Sequence, residues 1–360
     1  MLSGERTLGV MLTYPEAGEE TQKPASRIVL PRPANGEPAR GVAGLLGAGS
    51  FARRTLIPAI QSAGIRIKTV VSSTGLSAAV EGRRAGAALA SSDHADVFAD
   101  PEIDTVFVLT RHDSHADLVV RALEAGKHVF VEKPLALSLE GLARVEQAAH
   151  ASDRLLMVGF NRRFAPLATR LKTLTDGRAG PLSLVITVNA GWIEPDHWTQ
   201  DPRQGGGRIV GEACHFIDLA RWLTGESITR VSVQAAADST GAPLDDVAHI
   251  TLALEGGSTA AIHYLATGSS RFPKERVEAF FDGKTAAIDN WRRLRTWGLS
   301  GGGPRLGRRL DKGHESELEA LAAAIRSGTP SPIPLGELLE VSRWSIRAAS
   351  LARGDSATSA

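Results

Sequence analysis

Five short apolar runs recur between residues 40 and 160: 41–46 (GVAGLL), 67–71, 105–109 (TVFVL), 128–131 (HVFV) and 155–158 (LLMV). They are continuous rather than alternating, as expected of strands buried on both faces of a parallel sheet. Stretches of helical spacing separate them, at 50–63, 76–90, 115–125 and 138–151. Asp113 or Ser114 suits the N-cap of the third and Gly126 its stop, while Ser138 caps the fourth, with Glu140 favourably placed in its first turn. Strand and helix in alternation predict right-handed βαβ units and a doubly wound α/β domain over 40–160.

After residue 160 the period changes. Helical spacing appears at 161–175 and 212–223, and period-two alternation at 182–189, 229–235, 248–254, 259–265, 277–281 and 285–288. Successive strands with no helix between them predict an open, largely antiparallel sheet, covered by helices on one face. Two helices, 315–326 and 335–352, close this α+β domain of residues 161–353, and 354–360 is expected to fray. Residues 1–39 read as a leader broken by Pro15, Pro24, Pro31, Pro33 and Pro38, with short runs at 8–12 and 28–30 that could form edge strands.

Composition narrows the function. Hydrophobic residues make up 42% and charged residues 22% of the 360, a globular balance that excludes wholesale disorder. The net charge of +1 gives no broad pull toward nucleic acid or anionic lipid. No apolar run approaches the roughly 18 residues of a membrane helix. The single cysteine, Cys214, rules out an internal disulfide and a Cys-rich zinc site and suits a reducing cytoplasm. The N-terminus lacks a secretory pattern, so a cytoplasmic protein with no metal, membrane or nucleic-acid partner is expected.

The strongest local signal is GAGSFA, residues 47–52, between a predicted strand and a predicted helix. This is the G-x-G-x-x-A dinucleotide turn. Gly47 permits the turn, Gly49 lets a pyrophosphate approach the backbone, Ala52 allows close packing, and Ser50 and Phe51 stand at the helix N-terminus where phosphate amides gather. The acid that normally reads both ribose hydroxyls after the second strand is missing, and Ser72 and Ser73 stand there instead. Hydroxyls do not repel a 2′-phosphate, so the cofactor is NAD or NADP with a slight preference for NADP; only Arg83 and Arg84 offer nearby positive charge. Two further strand ends carry polar residues, TRHDSH with Thr110, Arg111 and His115, and VEKP with Glu132, Lys133 and Pro134. Ligands in open α/β sheets bind beyond such ends, although a Glu–Lys pair is also a common surface dipeptide.

Taken together, GAGSFA, the element ending in His115, AGKHVFVEKP, GFNRRF (159–164) and GGGRIVGEACHFIDLARWL (205–223) resemble the Gfo/Idh/MocA oxidoreductases over about residues 40–350. The resemblance implies a Rossmann domain followed by an α/β domain whose open sheet forms the interface of a homodimer or homotetramer. It also implies hydride transfer between NAD(P) and a sugar, polyol or related ring compound. Lys133 matches the EKP lysine, which hydrogen-bonds the reacting oxygen, with Glu132 near the nicotinamide ribose. His215 matches the active-site histidine, a residue type whose reference pKa of about 6.5 suits proton transfer; without the resemblance, a buried structural histidine is the simpler reading. The family commonly has Asp four residues before this His, where this chain has Gly211. Glu212 is adjacent but, on a regular helix, lies about 100° round. Asp218, three residues after His215, can share its side.

On the substrate side, Asn161, Arg162 and Arg163 fall at the domain junction, where Arg could clamp a carboxylate or phosphate or form an interdomain ion pair. Trp192, His197 and Trp198 lie in an irregular Gly/Pro-rich segment and suit either a sugar face or plain packing. A basic run from Arg292 to Lys312 reads as a solvated loop, or as a site for an anionic substrate such as a nucleotide-sugar. LSGERTLGVMLTYP (2–15) resembles the tail of an alcohol dehydrogenase-like module that precedes a Gfo/Idh/MocA half in two-domain bacterial oxidoreductases linked to surface polysaccharides. Two functions remain open: a dehydrogenase acting on a sugar, polyol or nucleotide-sugar, or a cofactor-binding module or sensor without turnover unless partnered.

Overall fold

The computed structural model describes residues 26–30, 41–241, 243–299, 305–306 and 310–354. The leader's run at 8–12, its resemblance to a dehydrogenase tail and the terminal residues 355–360 lie outside them.

The first sheet has seven strands: β1 (Arg27–Val29), β2 (Val42–Leu46), β3 (Arg66–Val71), β4 (Leu89–Ser91), β5 (Thr105–Val108), β6 (His128–Val131) and β7 (Leu156–Val158). Their order is β1-β4-β3-β2-β5-β6-β7. All pairs are parallel except β1 with β4, an antiparallel edge made by the second of the leader's two apolar runs. The continuous runs are buried on both faces as their pattern requires; Leu45, Phe107, Phe130 and Val158 are fully enclosed, and Phe107 meets Phe130 at 5.3 Å. The connecting helices are α1 (Ile57–Ser62), α2 (Leu76–Ala85), α3 (Ala95–Phe98), α4 (His115–Glu124) and α5 (Leu139–His150). Here one expectation fails: 76–90 is not a single helix. Gly86, at φ +67°, ends α2 in the left-handed conformation and turns the chain into β4.

The second sheet has eight strands: β8 (Ser183–Asn189), β9 (Ile228–Ala237), β10 (Pro243–Leu254), β11 (Thr259–Leu265), β12 (Glu275–Phe281), β13 (Lys284–Asp289), β14 (Arg293–Trp297) and β15 (Arg305–Leu306). The order is β15-β14-β13-β12-β8-β11-β10-β9, antiparallel except for β8 with β11. Alternation sorts the faces: Leu184, Ile186, Ala260, Ile262, Tyr264, Val277 and Ala279 point inward, while Ala261, His263 and Glu278 lie on the opposite, more open face. The last two strands, β14 and β15, were not legible, because they are short, arginine-rich segments on either side of a glycine-rich stretch. Helices α6 (Pro166–Thr175), α7 (Cys214–Thr224), α8 (His314–Ser327) and α9 (Leu335–Ala352) complete the chain. Helix α7 was expected to be amphipathic, yet nearly all of it is buried because α9 covers the side away from the sheet. Contacts of α8 with α1 and of α9 with α5 tie the two sheets' layers together. Between them, beyond the carboxyl ends of β2, β3, β5 and β6, opens one large cleft.

Candidate active site

The cleft is a cavity of about 1090 Å³. One wall is the glycine elbow after β2. Gly47 has φ +106°, and a Cβ there would stand 2.5 Å from the Leu109 carbonyl oxygen. Its amide donates to the Val71 carbonyl at 2.8 Å, pinning the turn between neighbouring strand ends. Gly49 is different: a Cβ there would meet nothing within 4 Å, because the residue faces the cavity. The helix begins immediately afterwards, with the Arg53 amide donating to the Gly49 carbonyl at 3.0 Å. Its first-turn amides have no partner inside the helix, and with the open Gly49 cradle they fit a diphosphate. Ser50 and Phe51 line the same wall. Past β3 the lining is Ser72, Ser73, Thr74, Ser77 and His94, with no carboxylate. Ser72 Oγ accepts the Ala78 amide at 3.0 Å, and Thr74 and Ser77 pair their hydroxyls at 2.8 Å.

The ends of β5 and β6 form the floor. Thr110, Arg111 and His115 line it. His115 is fully buried between the Pro134 carbonyl, 2.7 Å from Nδ1, and the Thr110 carbonyl, 3.2 Å from Nε2. It fastens the two strand ends together. Burial lifts the Glu132 carboxyl to about 7 against the opposing pull of Lys133. Gly159 makes room for it, since a Cβ there would lie 2.9 Å from Glu132 Oε1. The Lys133 ammonium crosses the cleft and donates to the Gly211 carbonyl at 2.5 Å.

The opposite wall is the turn leading into α7. His215 lines the cavity, 6% exposed, with its Nδ1 buried and unpartnered. Burial, reinforced by Arg162 and Lys133, lowers its pKa well below 6.5, so the ring is neutral at physiological pH. The expectation about Glu212 is corrected here. Residues Ile209–Ala213 form a π-turn, which closes i→i+5 and rotates each residue by less than an α-helix does. Glu212, three residues before His215 and so on the same side of the chain, lines the cavity beside Gly211 and His215. A Cβ at Gly211 would come within 3.2 Å of His112 Cε1, so the position next to Glu212 stays small. Glu212 accepts the Tyr264 hydroxyl and, at 2.8 Å, Arg208 Nη2. Burial opposes its charge, but Lys133, Arg208 and Tyr264 prevail and bring it to about 2. Arg208 Nε in turn donates to the Tyr264 oxygen at 2.9 Å.

The substrate-side expectations divide. Asn161, Arg162 and Trp198 line the cavity. Asn161 donates to the Lys312 carbonyl at 2.8 Å, and Arg162 forms a two-pronged pair with buried Glu275 at 2.9 and 3.0 Å. Trp198 stacks edge-on against His112 at 4.8 Å and under the Arg111 guanidinium at 5.5 Å. Arg163 and Asp218, by contrast, do not line the cavity. They are bound to each other with both side chains buried, and Arg163 also donates to Glu337 at 2.7 Å. Arg163 has turned from the cleft because Asp218, one turn along α7, offers a buried charge that water cannot reach. Trp192, 63% exposed, and His197, whose Nδ1 pairs with the Thr199 hydroxyl at 2.8 Å, also lie off the cavity lining. Substituting Arg163→Met should cost about 3–5 kcal/mol of stability by stranding Asp218. Thermal unfolding would register the loss, while cofactor affinity measured below the transition stays at the wild-type value.

Several lining residues had escaped notice: His112, Arg208, Glu212 as a site group, Lys274 and His314. His112 lies inside TRHDSH, and its neighbours already marked that strand end. Its Nδ1 lies 2.7 Å from the Gly205 carbonyl, and burial with Lys133 lowers its pKa to about 3. Lys312 was read within a solvated loop; Glu275, reached at 2.5 Å, draws it inward. Lys274 comes from the loop before β12 and His314 from the first position of α8, neither with a local signature. Among the described residues there is no group of three or more metal-ligating side chains and no helix long and apolar enough to cross a membrane.

Comparison with known proteins bears on this arrangement. Residues 42–160 match an oxidoreductase family with an NAD-binding Rossmann fold, and residues 169–288 match the GFO/IDH/MocA C-terminal domain. Inositol 2-dehydrogenase 4 of Saccharopolyspora erythraea is 30% identical over 260 residues, 68% of this chain and 75% of that protein. The chain belongs to the Gfo/Idh/MocA oxidoreductase family. The uncharacterized oxidoreductase YrbE of Bacillus subtilis is 35% identical over 209 residues, 56% of this chain; the match spans 60% of YrbE. Levoglucosan dehydrogenase, solved in complex with NADH and levoglucosan, shares the Gfo/Idh/MocA fold with a TM-score of 0.71 at 20% identity, covering 88% of this chain and 98% of that one.

Proposed function

We propose that the protein is an NAD(P)-dependent dehydrogenase that interconverts a secondary hydroxyl and a carbonyl on a sugar, polyol or nucleotide-sugar. The observation that carries this reading is that a single cavity joins the glycine elbow, Lys133 and His215. The similarity to an inositol dehydrogenase and to levoglucosan dehydrogenase supports the substrate class.

In this reading Gly47, Gly49, Ser50 and Phe51 hold the diphosphate, and Ser72 and Ser73 meet the adenosine ribose. Thr110, Arg111 and Glu132 flank the nicotinamide end, and His115 braces it. When bound, the cofactor accepts or donates the hydride. Lys133, poised by the Gly211 carbonyl, donates to the reacting oxygen and stabilises its alkoxide character. His215, kept neutral by burial, takes the hydroxyl proton. Glu212, held ionised, places a fixed negative charge opposite Lys133 and steadies the proton once His215 has it. The glycine at 211 is thus compatible with turnover, because the neighbouring carboxylate reaches the cleft. A lining without a carboxylate after β3 favours NADP over NAD. Copies of the chain meet through the outer face of the second sheet, as a dimer or tetramer.

Fluorescence titration with NADH and NADPH, followed by a turnover screen with polyols and sugars, tests the reading. Binding of at least one nucleotide, NADPH at least as tightly as NADH, and reduction or oxidation of at least one compound are expected. Absence of binding by either nucleotide would overturn the proposal.

A further inference from the structure

The charges lining the cleft are unequal. Six cationic side chains line it, Arg111, Lys133, Arg162, Arg208, Lys274 and Lys312, against two acids, Glu132 and Glu212. Glu275, immediately behind the wall, adds a third carboxylate and is shared by Arg162 and Lys312. Arg208 is matched by Glu212. Arg111 is held by the neutral Gln204 amide at 2.6 Å, and Lys133 by a backbone carbonyl. Lys274 forms no ion pair with any described residue, although its charge is near enough to act on both Glu212 and Lys312. The cleft therefore holds more fixed positive charge than its own carboxylates balance.

A dinucleotide's diphosphate does not resolve this surplus, because its cradle is the glycine elbow on the opposite wall. Arg162 and Lys312 both reach Glu275 at the start of β12, Lys274 is its neighbour in the chain, and Arg208 stands on the approach to α7. Lys274 is also positioned rather than loose. It immediately precedes β12, its backbone carbonyl accepts the Asn189 amide at 2.8 Å, and its exposed side chain lines the cavity. The buried Asn189 side chain holds the preceding loop by donating to the Ser269 carbonyl at 2.8 Å. Like charges gathered in a partly dehydrated cleft repel one another, and an anion entering among them is drawn in.

We propose that the substrate carries an anionic group, a carboxylate or a phosphate on the sugar or polyol, which seats against Lys274 with Lys312 behind it. This rests on the dehydrogenase reading above and refines its substrate class. Lys274 then acts as a specificity residue: it touches the anionic substituent, remote from the carbon that loses hydride.

Two matched series test it on the full chain with saturating cofactor: D-glucose, D-glucuronate and D-glucose 6-phosphate, and myo-inositol with its monophosphate. Binding to the cofactor-loaded protein is read by calorimetry and turnover by nicotinamide absorbance. The anionic member of at least one series should bind at least tenfold tighter than its neutral parent. The carboxylate and phosphate arms show which anion is preferred. The variant Lys274→Met should reduce that preference roughly 10- to 100-fold, the span of a hydrogen bond to a charged group. Neutral compounds binding as well as their anionic partners, or a preference unmoved by Lys274→Met, would overturn the inference while leaving the dehydrogenase reading intact. Selective anion binding with no turnover of any compound would instead retain the anion site and remove the dehydrogenase reading.

Discussion

Lys133→Met should lower kcat roughly 10²- to 10³-fold, the usual effect of removing a donor from a developing oxyanion, while the affinity for the nicotinamide nucleotide stays within about twofold. The separation follows from geometry. The ammonium spans the cleft to the Gly211 carbonyl, 2.5 Å away, rather than reaching the glycine elbow proposed to hold the diphosphate. His215→Asn should have a comparable effect on kcat, roughly 10²- to 10⁴-fold, through loss of the proton acceptor. Its pH signature is distinctive. Burial, with Arg162, Lys133, His314 and Lys312 nearby, holds the imidazole pKa well below 6.5. The oxidation reaction needs the unprotonated ring, so lowering the pH through 6.5 should not switch this group off. A kcat/KM profile in the oxidation direction that collapses with a His215-dependent midpoint near 6.5 would contradict the assignment.

The second large effect distinguishes two glycines two residues apart. Gly47→Ala forces a side chain into the left-handed region and against a backbone oxygen at 2.5 Å. The expected loss is about 2–5 kcal/mol of stability, combining backbone strain with overpacking. A Cβ at Gly49 meets no protein atom within 4 Å, so in Gly49→Val the fold should stay within about 0.5 kcal/mol of the parent. Its side chain would nevertheless fill the cradle, and nucleotide affinity should fall on the order of 100-fold, equivalent to losing one or two charge-assisted hydrogen bonds. Thermal unfolding and nucleotide titration of both variants suffice. If Gly49→Val bound nucleotide normally, the elbow would not be the diphosphate site.

All of the first sheet except β4 was legible because its parallel strands are continuous apolar runs separated by stretches of helical spacing, a pattern few other arrangements can bury. The elbow was legible because its glycines answer to local backbone constraints, as the geometry at Gly47 bears out. Glu132, Lys133 and His215 stood in strings distinctive enough to name, and all three line the cleft. The misread positions share one cause, in that their fate depended on residues distant in the chain. Arg163 has the same local features as Arg162, yet Asp218, 55 positions away, captures the first and Glu275, 113 positions away, the second. Lys312 resembled a solvated loop residue until Glu275 folded beneath it.

Helix α7 and its approach mark the boundary between the two kinds of information. The order of residues sets a glycine at 211, a glutamate at 212 and a histidine at 215, together with two domains and a dinucleotide turn, because these depend on composition, periodicity and short-range sterics. How Glu212 is held was settled only on packing, when Tyr264 and Arg208 received the carboxylate. The surplus of positive charge in the cleft is likewise invisible in a chain whose net charge is +1. Charge acts through distance in space, and only the tertiary structure brings Lys274, Lys312 and Arg162 to the same wall.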